Sequence, residues 1–337
     1  MSAALLEVEG LRTWFPVRQG LRRRVVGHIR AVDGVDLTVR VGQTVALVGE
    51  SGCGKTTVGR SILRLEQPQA GSVRFDGVDL LAQPSRELRQ FRQRMQIVFQ
   101  DPMASLNPRM RVRDLVAEGM RSFGIGGGPR RRTERVVELL QRVQLDADHL
   151  WRYPHELSGG QRQRIGIARA LAVEPELVIC DEAVSALDVS IQAQILNLLG
   201  ELQRELNLAY LFITHDLSVV RYLADEVAVM YLGQIVERGP TRRIFEAPAH
   251  PYTQGLLAAA PSVDPQRRHC ALGVLGDVPS PAAPPPGCRF HTRCPKTFDR
   301  CRREKPPLYD CASGGQSRCF LEDPSQPPRP AVSPREG

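Results

Sequence analysis

The sequence has no long apolar segment. Although 42% of its 337 residues are hydrophobic, no window approaches the ~18 consecutive apolar residues of a membrane-spanning helix. The first residues, MSAALLEVEG, also lack the basic region, apolar run and cleavage site of a secretion signal. We therefore expect a soluble, cytoplasmic protein that acts at a membrane only through a partner. A chain of this length can bury a substantial core in one large or two smaller domains.

Aromatic residues are also scarce, at 5% of the chain, and this bears on the meaning of its net charge of +8. The basic residues occur in short arginine runs, such as Arg22 to Arg24 and Arg130 to Arg132, without aromatic residues between them. Nucleic-acid surfaces usually concentrate basic residues on one face, and single-strand binders add stacking aromatics. The pattern favours solvated arginines, and we expect no nucleic-acid partner.

The eight cysteines lack the closely spaced pairs of structural zinc sites, in which two to four residues separate the ligands. Cys53, Cys180 and Cys270 are dispersed, whereas five cysteines crowd into the last fifty residues. In a reduced compartment such a group indicates metal ligation rather than disulfides. The segment is proline-rich with little apolar material, so it needs a staple in order to fold. Ligation by four separated thiolates suits an iron–sulfur cluster, and zinc is the alternative.

A phosphate-binding loop follows the apolar strand Thr44 to Val48. Residues 49–56 read GESGCGKT, which fits a glycine, four residues and then Gly-Lys-Thr, and a helical pattern follows from Thr57 to Leu65. In such a loop the backbone N–H groups surround the phosphates, Lys55 neutralises them and the Thr56 hydroxyl reaches Mg²⁺. The strand before and the helix after make a chance glycine-rich turn improbable.

Polar residues follow three further strand patterns. Gln100 comes after the strand at Val98, Asp181-Glu182 ends the apolar run Leu177 to Cys180, and His215 follows Leu208 to Thr214. Alone, each could be a capping residue. Beside a phosphate loop they predict a site at the strand ends, where Asp181 holds Mg²⁺, Glu182 polarises the attacking water and His215 contacts the γ-phosphate.

A second anion-binding surface is predicted where a Ser-Gly-Gly run opens the helical pattern Gln161 to Ala172. Its residues are Leu157, Ser158, Gly159, Gly160 and Gln161. Small residues at a helix N-terminus leave backbone N–H groups accessible to an anion, although an isolated run of this kind is usually only an N-cap. Two phosphate-binding surfaces in one chain predict that two protomers share nucleotide.

The rest of the chain divides into four regions. Residues 5–48 alternate as strands of an antiparallel subdomain, with the basic insertion Gln19 to Arg30 expected as a surface loop. Residues 71–79 predict a hairpin that turns at Asp76-Gly77. Residues 103–157 carry helical periodicity on either side of a flexible linker at 124–129, and the proline-rich tail from 248 is expected to be a separate, loop-rich appendage.

In order and spacing, these motifs resemble those of ATP-binding cassette (ABC) transporter ATPases. The resemblance covers about residues 5–240, and it includes the turn Ser185 to Asp188. HPYT at 250–253, GLL at 255–257 and GCRFHTRC at 287–294 resemble the C-terminal extension of dipeptide, oligopeptide and nickel importer ATPases. FQDPMASLNPR and the basic insertion are similar to the second of the two ATPase subunits of such importers.

The resemblance implies a role for each matching residue. Phe15 would stack on adenine, with Trp14 as the alternative; Glu182 would be the general base, assisted by Gln100 and His215. Thr56, Gln100 and Asp181 would serve Mg²⁺, and Asp188 would signal across the dimer to which the 157–161 signature contributes. ATP would be held by Gly49, Ser51, Gly52, Cys53, Gly54, Lys55, Thr56, Thr57 and Asp181. The extension would hold a [4Fe-4S] cluster on Cys288, Cys294, Cys301 and Cys319, with Cys311 spare.

These inferences predict an α/β fold: a P-loop NTPase (RecA-like) core, an antiparallel β subdomain, an inserted helical subdomain at about 103–172 and a small loop-rich C-terminal extension. The expected domains are 1–245 and 246–337. The expected function is ATP-driven import of di- or oligopeptides, with a second, distinct ATPase subunit, two permease subunits and indirectly an extracytoplasmic peptide-binding protein. The protein would lie at the cytoplasmic face of the inner or plasma membrane.

Two other classes of function are weighed against this one. Cassette ATPases that act on ribosomes or DNA usually carry two cassettes or a long coiled coil, and this chain has one cassette without a heptad run. A P-loop kinase or GTPase has no use for the second phosphate-binding helix end. Copurification with apolar membrane subunits separates these alternatives.

Overall fold

A computed structural model of the chain describes residues 4–20, 23–259 and 276–325. Two sheets form its framework: a four-stranded antiparallel sheet in the order β2-β1-β4-β5, and an eight-stranded sheet in the order β11-β12-β10-β9-β3-β8-β7-β6. The strands are β1 Ala4–Gln19, β2 Arg24–Arg40, β3 Thr44–Val48, β4 Ala70–Phe75, β5 Val78–Asp79, β6 Met95–Val98, β7 Leu177–Asp181, β8 Ala209–Thr214, β9 Glu226–Tyr231, β10 Gln234–Pro240, β11 Tyr309–Asp310 and β12 Gln316–Ser317. The α/β fold class is confirmed.

Helices cover both faces of the larger sheet. They are α1 Lys55–Ile62, α2 Leu88–Arg94, α3 Pro102–Ser105, α4 Val112–Phe123, α5 Pro129–Arg142, α6 Gly159–Leu171, α7 Val189–Leu206, α8 Leu217–Leu223, α9 Thr241–Glu246, α10 Pro251–Ala259 and α11 Asp299–Arg303, with 3-10 turns at Ala147–Trp151, Pro154–Glu156 and Phe320–Glu322. Among the helices described here, none is long and apolar enough to cross a bilayer.

The central strands of the larger sheet are parallel, from β9 through β3, β8 and β7 to β6. All five residues of β3 and of β7 are buried, as expected for parallel strands covered on both faces. Side chains of β7 alternate between two cores. Val178 and Cys180 pack against the helical subdomain, whereas Leu177 and Ile179 face α1 and the antiparallel sheet. Parallel pairing brings the carboxyl ends of β3, β8, β7 and β6 to one edge.

The basic insertion Gln19 to Arg30 does not form the expected surface loop. The strands β1 and β2 continue through it as a hairpin, in which Arg18 pairs with Val25 and Gln19 with Arg24. Val25 and Val26 are more than half exposed. Neither face of this part of the hairpin is fully covered, so the buried-exposed alternation that normally marks a strand is absent from the sequence.

The inserted helical subdomain is built mainly from α4, α5 and α6. Val116, Leu140 and Ile165 are completely buried in its common core. The predicted helices are confirmed with small shifts at their ends: α4 extends to Phe123, α5 begins at Pro129, and α6 begins at Gly159 rather than at Gln161. Pro129 suits the first position of a helix because its missing N–H would have no intrahelical acceptor there.

The C-terminal extension is continuous with the core rather than separate from it. Strand β12 pairs with β10 through Glu237 and Ser317, and β11 continues the sheet beyond β12. A buried ion pair joins Glu237 to Arg243, and Glu237 also accepts the backbone N–H groups of Ala249 and His250. The domain boundary at 245/246 remains a prediction.

Candidate functional site

The phosphate loop lies between β3 and α1, as its sequence pattern predicts. The Lys55 ammonium is almost completely buried and donates to the carbonyl oxygens of Gly49, at 2.8 Å, and Glu50, at 3.0 Å. At Gly54 (φ 109°), a Cβ atom would lie 2.0 Å from the Ala31 carbonyl oxygen. Only glycine can occupy that position, because both the left-handed backbone and the close approach exclude a side chain.

Thr56 and Asp181 supply the oxygen atoms expected for a magnesium site. The Thr56 hydroxyl donates to Asp181 Oδ1 at 2.9 Å, across the gap between the loop and the end of β7. Burial raises the pKa of Asp181, while the Thr56 hydrogen bond and the charges of Arg60 and Lys55 oppose that shift. A hydroxyl and a carboxylate at this spacing are hard donors of the kind that Mg²⁺ prefers.

Glu182 stands at the centre of the strand-end residues. Its carboxylate accepts from the Gln100 amide at 2.8 Å and lies 3.3 Å from His215 Nδ1, with 14% of the side chain exposed. The structure therefore brings together the three residues that the sequence places after β6, β7 and β8. Their convergence follows from the parallel register of those strands.

The backbone of Glu182 adopts a left-handed conformation with φ 48°. Such a conformation costs a non-glycine residue ~1–3 kcal/mol and persists only where the surroundings enforce it. Here the N–H donates to the Ile213 carbonyl oxygen at 2.9 Å, and the carbonyl accepts from both the N–H and the hydroxyl of Ser185. The turn after β7 therefore aims the carboxylate at Gln100 and His215. The sequence alone does not reveal this strain.

The signature segment forms the N-terminal cap of α6. Ser158 Oγ accepts the N–H of Gln161 at 3.2 Å, and the Gln161 side chain accepts the N–H of Ser158 at 2.9 Å. Ser158 is exposed and Gly160 is buried, where an added Cβ would lie 2.6 Å from Ile191 Cγ2. Gly159 lies next to Leu187, and Gly160 lies next to Ile191. Between these two contacts in the sequence is Asp188, the N-cap residue of α7. One of the free N–H groups at the start of α6, that of Gln161, therefore already has the Ser158 hydroxyl as its acceptor.

The two aromatic candidates for base stacking have different environments. Trp14 lies against the Arg30 guanidinium, 5.0 Å from its ring centroid, and beside His28 at 6.3 Å. Phe15 pairs with Ile29 of β2 and is half-buried, and a register irregularity separates it from Thr13, whose hydroxyl bonds to Ser61 of α1 at 2.8 Å.

The four cysteines assigned together lie around one narrow cavity. Cys288, Cys294, Cys301 and Cys319 line it, with Phe298 and Phe320 among the apolar residues that close it. Burial raises the pKa of the Cys288 thiol to about 11 and also raises those of Cys294 and Cys319, and nearby thiolates within the group raise each further.

Cys311 is not among the residues that line this cavity. It lies beside the buried ion pair of Arg243 and Glu237, whose charges lower and raise its pKa respectively, while burial is the main cause that raises it. Cys270 falls outside the described residues. Across the described ranges, no group of three or more His, Cys, Asp or Glu side chains is placed to hold a metal ion.

Two residues contact the phosphate loop although no sequence motif predicts either contact. Arg293 forms an ion pair with Glu50, and the Tyr252 hydroxyl accepts the Glu50 N–H at 3.0 Å. Both belong to the C-terminal stretches that resemble the importer extension, GCRFHTRC and HPYT. The resemblance predicted a C-terminal extension of the importer type, but it did not predict that Arg293 and Tyr252 contact the phosphate loop.

Comparison with known proteins gives consistent matches. The ABC transporter family model matches residues 32–185, and the model for the oligopeptide/dipeptide transporter C-terminal region matches residues 236–301. The chain is 50% identical to a probable peptide ABC transporter ATP-binding protein of Sinorhizobium fredii, over 96% of this chain and 92% of the relative. It is 48% identical to the oligopeptide transport ATP-binding protein AppF of Bacillus subtilis, over 94% and 97% of the two chains.

The dipeptide transport ATP-binding protein DppF of Escherichia coli is 46% identical, over 96% of both chains. Among solved structures, the ATP-binding cassette MJ0796, a dimer bound to ADP and phosphate, superposes with a TM-score of 0.62 at 28% identity. That match covers 70% of this chain and 99% of the other.

Proposed function

Because this chain belongs to the ABC transporter family, in its peptide-transport ATP-binding branch, we propose that it is the ATP-hydrolysing subunit of an importer of di- or oligopeptides. The observation that supports this most directly is the contact of Glu182 with both Gln100 and His215 at the strand ends beside Thr56 and Asp181. Such an arrangement can bind a nucleoside triphosphate, orient a water molecule and take its proton.

The residues divide the chemistry among them. Lys55 and the loop N–H groups hold the phosphates, and Phe15 stacks on the base. Thr56 and Asp181, with Gln100, hold Mg²⁺, which when bound neutralises charge on the phosphate oxygens. Glu182 takes the proton of the attacking water, and His215 orients the γ-phosphate from the neighbouring strand. Each contributes through position, because phosphoryl transfer depends mainly on alignment and electrostatic stabilisation.

A second cassette completes the site. The helix end at 158–161, where Ser158 is exposed, serves the nucleotide of the facing subunit. Asp188 lies next to Leu187 and Ile191, which pack on that helix end. It signals across the dimer, from one nucleotide site to the other. The basic hairpin and the FQDPMASLNPR stretch support assignment as the second of two different ATPase subunits, so the pair is a heterodimer.

Coupling to transport requires membrane partners. Closure of the two cassettes around ATP moves the permease subunits to which the helical subdomain and Gln100 attach, and hydrolysis reopens the pair. The nucleotide drives the cycle because it binds the closed state more tightly than the open one. The subunit therefore lies peripherally on the cytoplasmic face of the membrane, and a peptide-binding protein delivers the substrate on the other side.

The test is reconstitution of this subunit with its partner ATPase and permeases in vesicles. Peptide-loaded binding protein is expected to stimulate ATP hydrolysis and peptide uptake. A Lys55→Ala subunit supplies the control, which should lose both activities. Stimulation by a nickel-loaded binding protein and not by a peptide-loaded one would reassign the substrate, and failure to copurify with any permease would refute the transporter assignment.

We also propose that the extension holds a [4Fe-4S] cluster on Cys288, Cys294, Cys301 and Cys319. The narrow cavity that all four side chains line supports this. The gaps of five or more residues between the four cysteines are wider than those between paired zinc ligands, so zinc is the alternative rather than the first choice. A cubane binds each thiolate through a different iron and so needs ligands further apart.

Cys311 provides a matched control for this assignment. Protein purified without oxygen should be brown and contain iron, and Cys301→Ser should lose both the colour and the iron. Cys311→Ser should retain them, since Cys311 lies beside Arg243 and Glu237 rather than on the cavity. Elemental analysis that finds zinc without iron would refute the cluster.

A further inference from the structure

The C-terminal extension reaches the phosphate loop through Arg293, in addition to the Tyr252 hydroxyl. Arg293 Nη1 lies 2.8 Å from Glu50 Oε2 and Nη2 lies 3.0 Å from Glu50 Oε1, so the pairing is bidentate. The Arg293 side chain is 6% exposed and that of Glu50 is 24% exposed. A shielded bidentate pair of this kind is stronger and more directional than a surface ion pair.

Glu50 is held from three directions. Its carboxylate meets Arg293, its N–H donates to the Tyr252 hydroxyl, and its carbonyl oxygen accepts from Lys55. Tyr252 is itself completely buried, with its ring 4.7 Å from Tyr231 and 5.4 Å from Phe290. The start of the phosphate loop is therefore supported by β9 and by two parts of the C-terminal extension, α10 and the segment that carries Arg293, and not by its own residues alone.

The charge of Glu50 makes this support important for nucleotide binding. A carboxylate in the phosphate loop repels the triphosphate that the loop is built to hold, and the attraction or repulsion of close charges is largest where water is excluded. Arg293 cancels that charge at hydrogen-bond distance. Loss of the arginine would leave the carboxylate both uncompensated and free to turn toward the phosphates.

The same turn of chain carries two of the four cavity cysteines. Arg293 immediately precedes Cys294, and Arg289 immediately follows Cys288. Arg289 is buried; it pairs with Asp33 and donates to the carbonyl oxygen of Leu232. The next residue, Gly233, donates its N–H to the Cys53 carbonyl oxygen of the loop at 2.9 Å. Whatever orders the Cys288–Cys294 turn thus also fixes the two arginines that join it to the nucleotide-binding core.

We propose that Arg293 is a positioning residue that neutralises and holds Glu50, so that the C-terminal extension sets the ATP affinity of the phosphate loop in the same chain. This inference rests on the proposed function, because it requires that the loop binds ATP. It adds a device that none of the nucleotide-binding motifs contains: the loop is completed by a residue from beyond the cassette.

The test measures ATP affinity of the full-length protein by equilibrium binding, in four forms besides the parental one. Arg293→Gln is expected to weaken ATP binding about tenfold, the effect of losing one charge-assisted contact. The double variant Glu50→Gln/Arg293→Gln should recover most of that loss, to within about threefold of the parental protein, since the repulsive charge is gone. Arg303→Gln, an exposed arginine of the same extension, is the matched control and should bind normally.

Glu50→Asp approaches the same contact from the other side. Aspartate keeps the charge but is too short for the bidentate pairing, so Glu50→Asp should also weaken ATP binding. It provides an independent test if Arg293→Gln fails to fold. Parental affinity in both variants would overturn the inference, as would a loss in Arg293→Gln that Glu50→Gln does not relieve. If the parental protein itself does not bind ATP, the proposed function fails and this inference with it; if it binds normally, only the inference is at stake.

Discussion

Replacement of Glu182 by glutamine tests the centre of the proposed ATPase site. The change keeps the size and shape of the side chain and removes only its charge and its ability to take a proton. Its carbonyl oxygen can still accept from the Gln100 amide, which lies 2.8 Å from the carboxylate, and the turn after β7 is held by backbone contacts to Ile213 and Ser185. We therefore expect the fold and the nucleotide contacts of Lys55 to persist.

The expected effect is on the rate of hydrolysis. A lost general base costs ~10² to 10⁴ in rate, which corresponds to about 2.7–5.4 kcal/mol in the activation free energy. ATP affinity should change little, because Glu182 contacts Gln100 and His215 and not the phosphate loop. Binding without hydrolysis should also prolong the closed pair of cassettes.

The assay is single-turnover hydrolysis by the assembled complex, with ATP affinity measured on the same preparation. Glu201→Gln, which changes an exposed glutamate of α7, is the matched control and should hydrolyse ATP at the parental rate. Hydrolysis at the parental rate with glutamine at 182 would refute the role given to this carboxylate. Equal loss of binding and hydrolysis would instead show that Glu182 supports the structure of the site.

Two further predictions concern the signature and the pH dependence of stability. Ser158→Arg should abolish ATP-dependent pairing, seen by gel filtration, while ATP binding stays normal; Ser158→Ala, which loses the same N-cap without adding bulk, should still pair. Burial lowers the pKa of His250 to about 3, so the unfolded chain binds the extra proton as pH falls below ~6.5, and the free energy of unfolding should decrease by about 1.6 kcal/mol between pH 6.5 and 5. His250→Asn should flatten that slope in denaturant titrations, whereas exposed His155→Asn should leave it unchanged; equal slopes in all three proteins would contradict the assignment.

The strand-end site was predictable because its parts are local. The change from the apolar strand β3 to a glycine-rich loop, and the polar residues that follow β6, β7 and β8, can each be identified within about ten residues of sequence. Parallel strands necessarily present their carboxyl ends at one edge, so Gln100, Glu182 and His215 meet there. The left-handed backbone of Glu182 was not predictable, since it is imposed by Ile213 and Ser185 and not by the residue itself.

Contacts between residues that are distant in the sequence were not predictable from local patterns. The hairpin at 19–30 resembles a loop because its exposed arginines and valines do not alternate in polarity. The place of the extension in the sheet depends on the pairing of Glu237 with Ser317, and the support of the phosphate loop depends on Arg293. In both cases the sequence around one residue contains no pattern that identifies the residue it contacts.

The ion pair between Glu50 and Arg293 also has a consequence for the order of events during protein synthesis. The two residues are separated by 243 positions, and a ribosome adds ~5–20 residues per second. The arginine is therefore made roughly 12–50 seconds after the loop that it supports. A nascent cassette acquires its finished nucleotide loop only after residue 293 has been added, and truncated products that stop before that residue lack it.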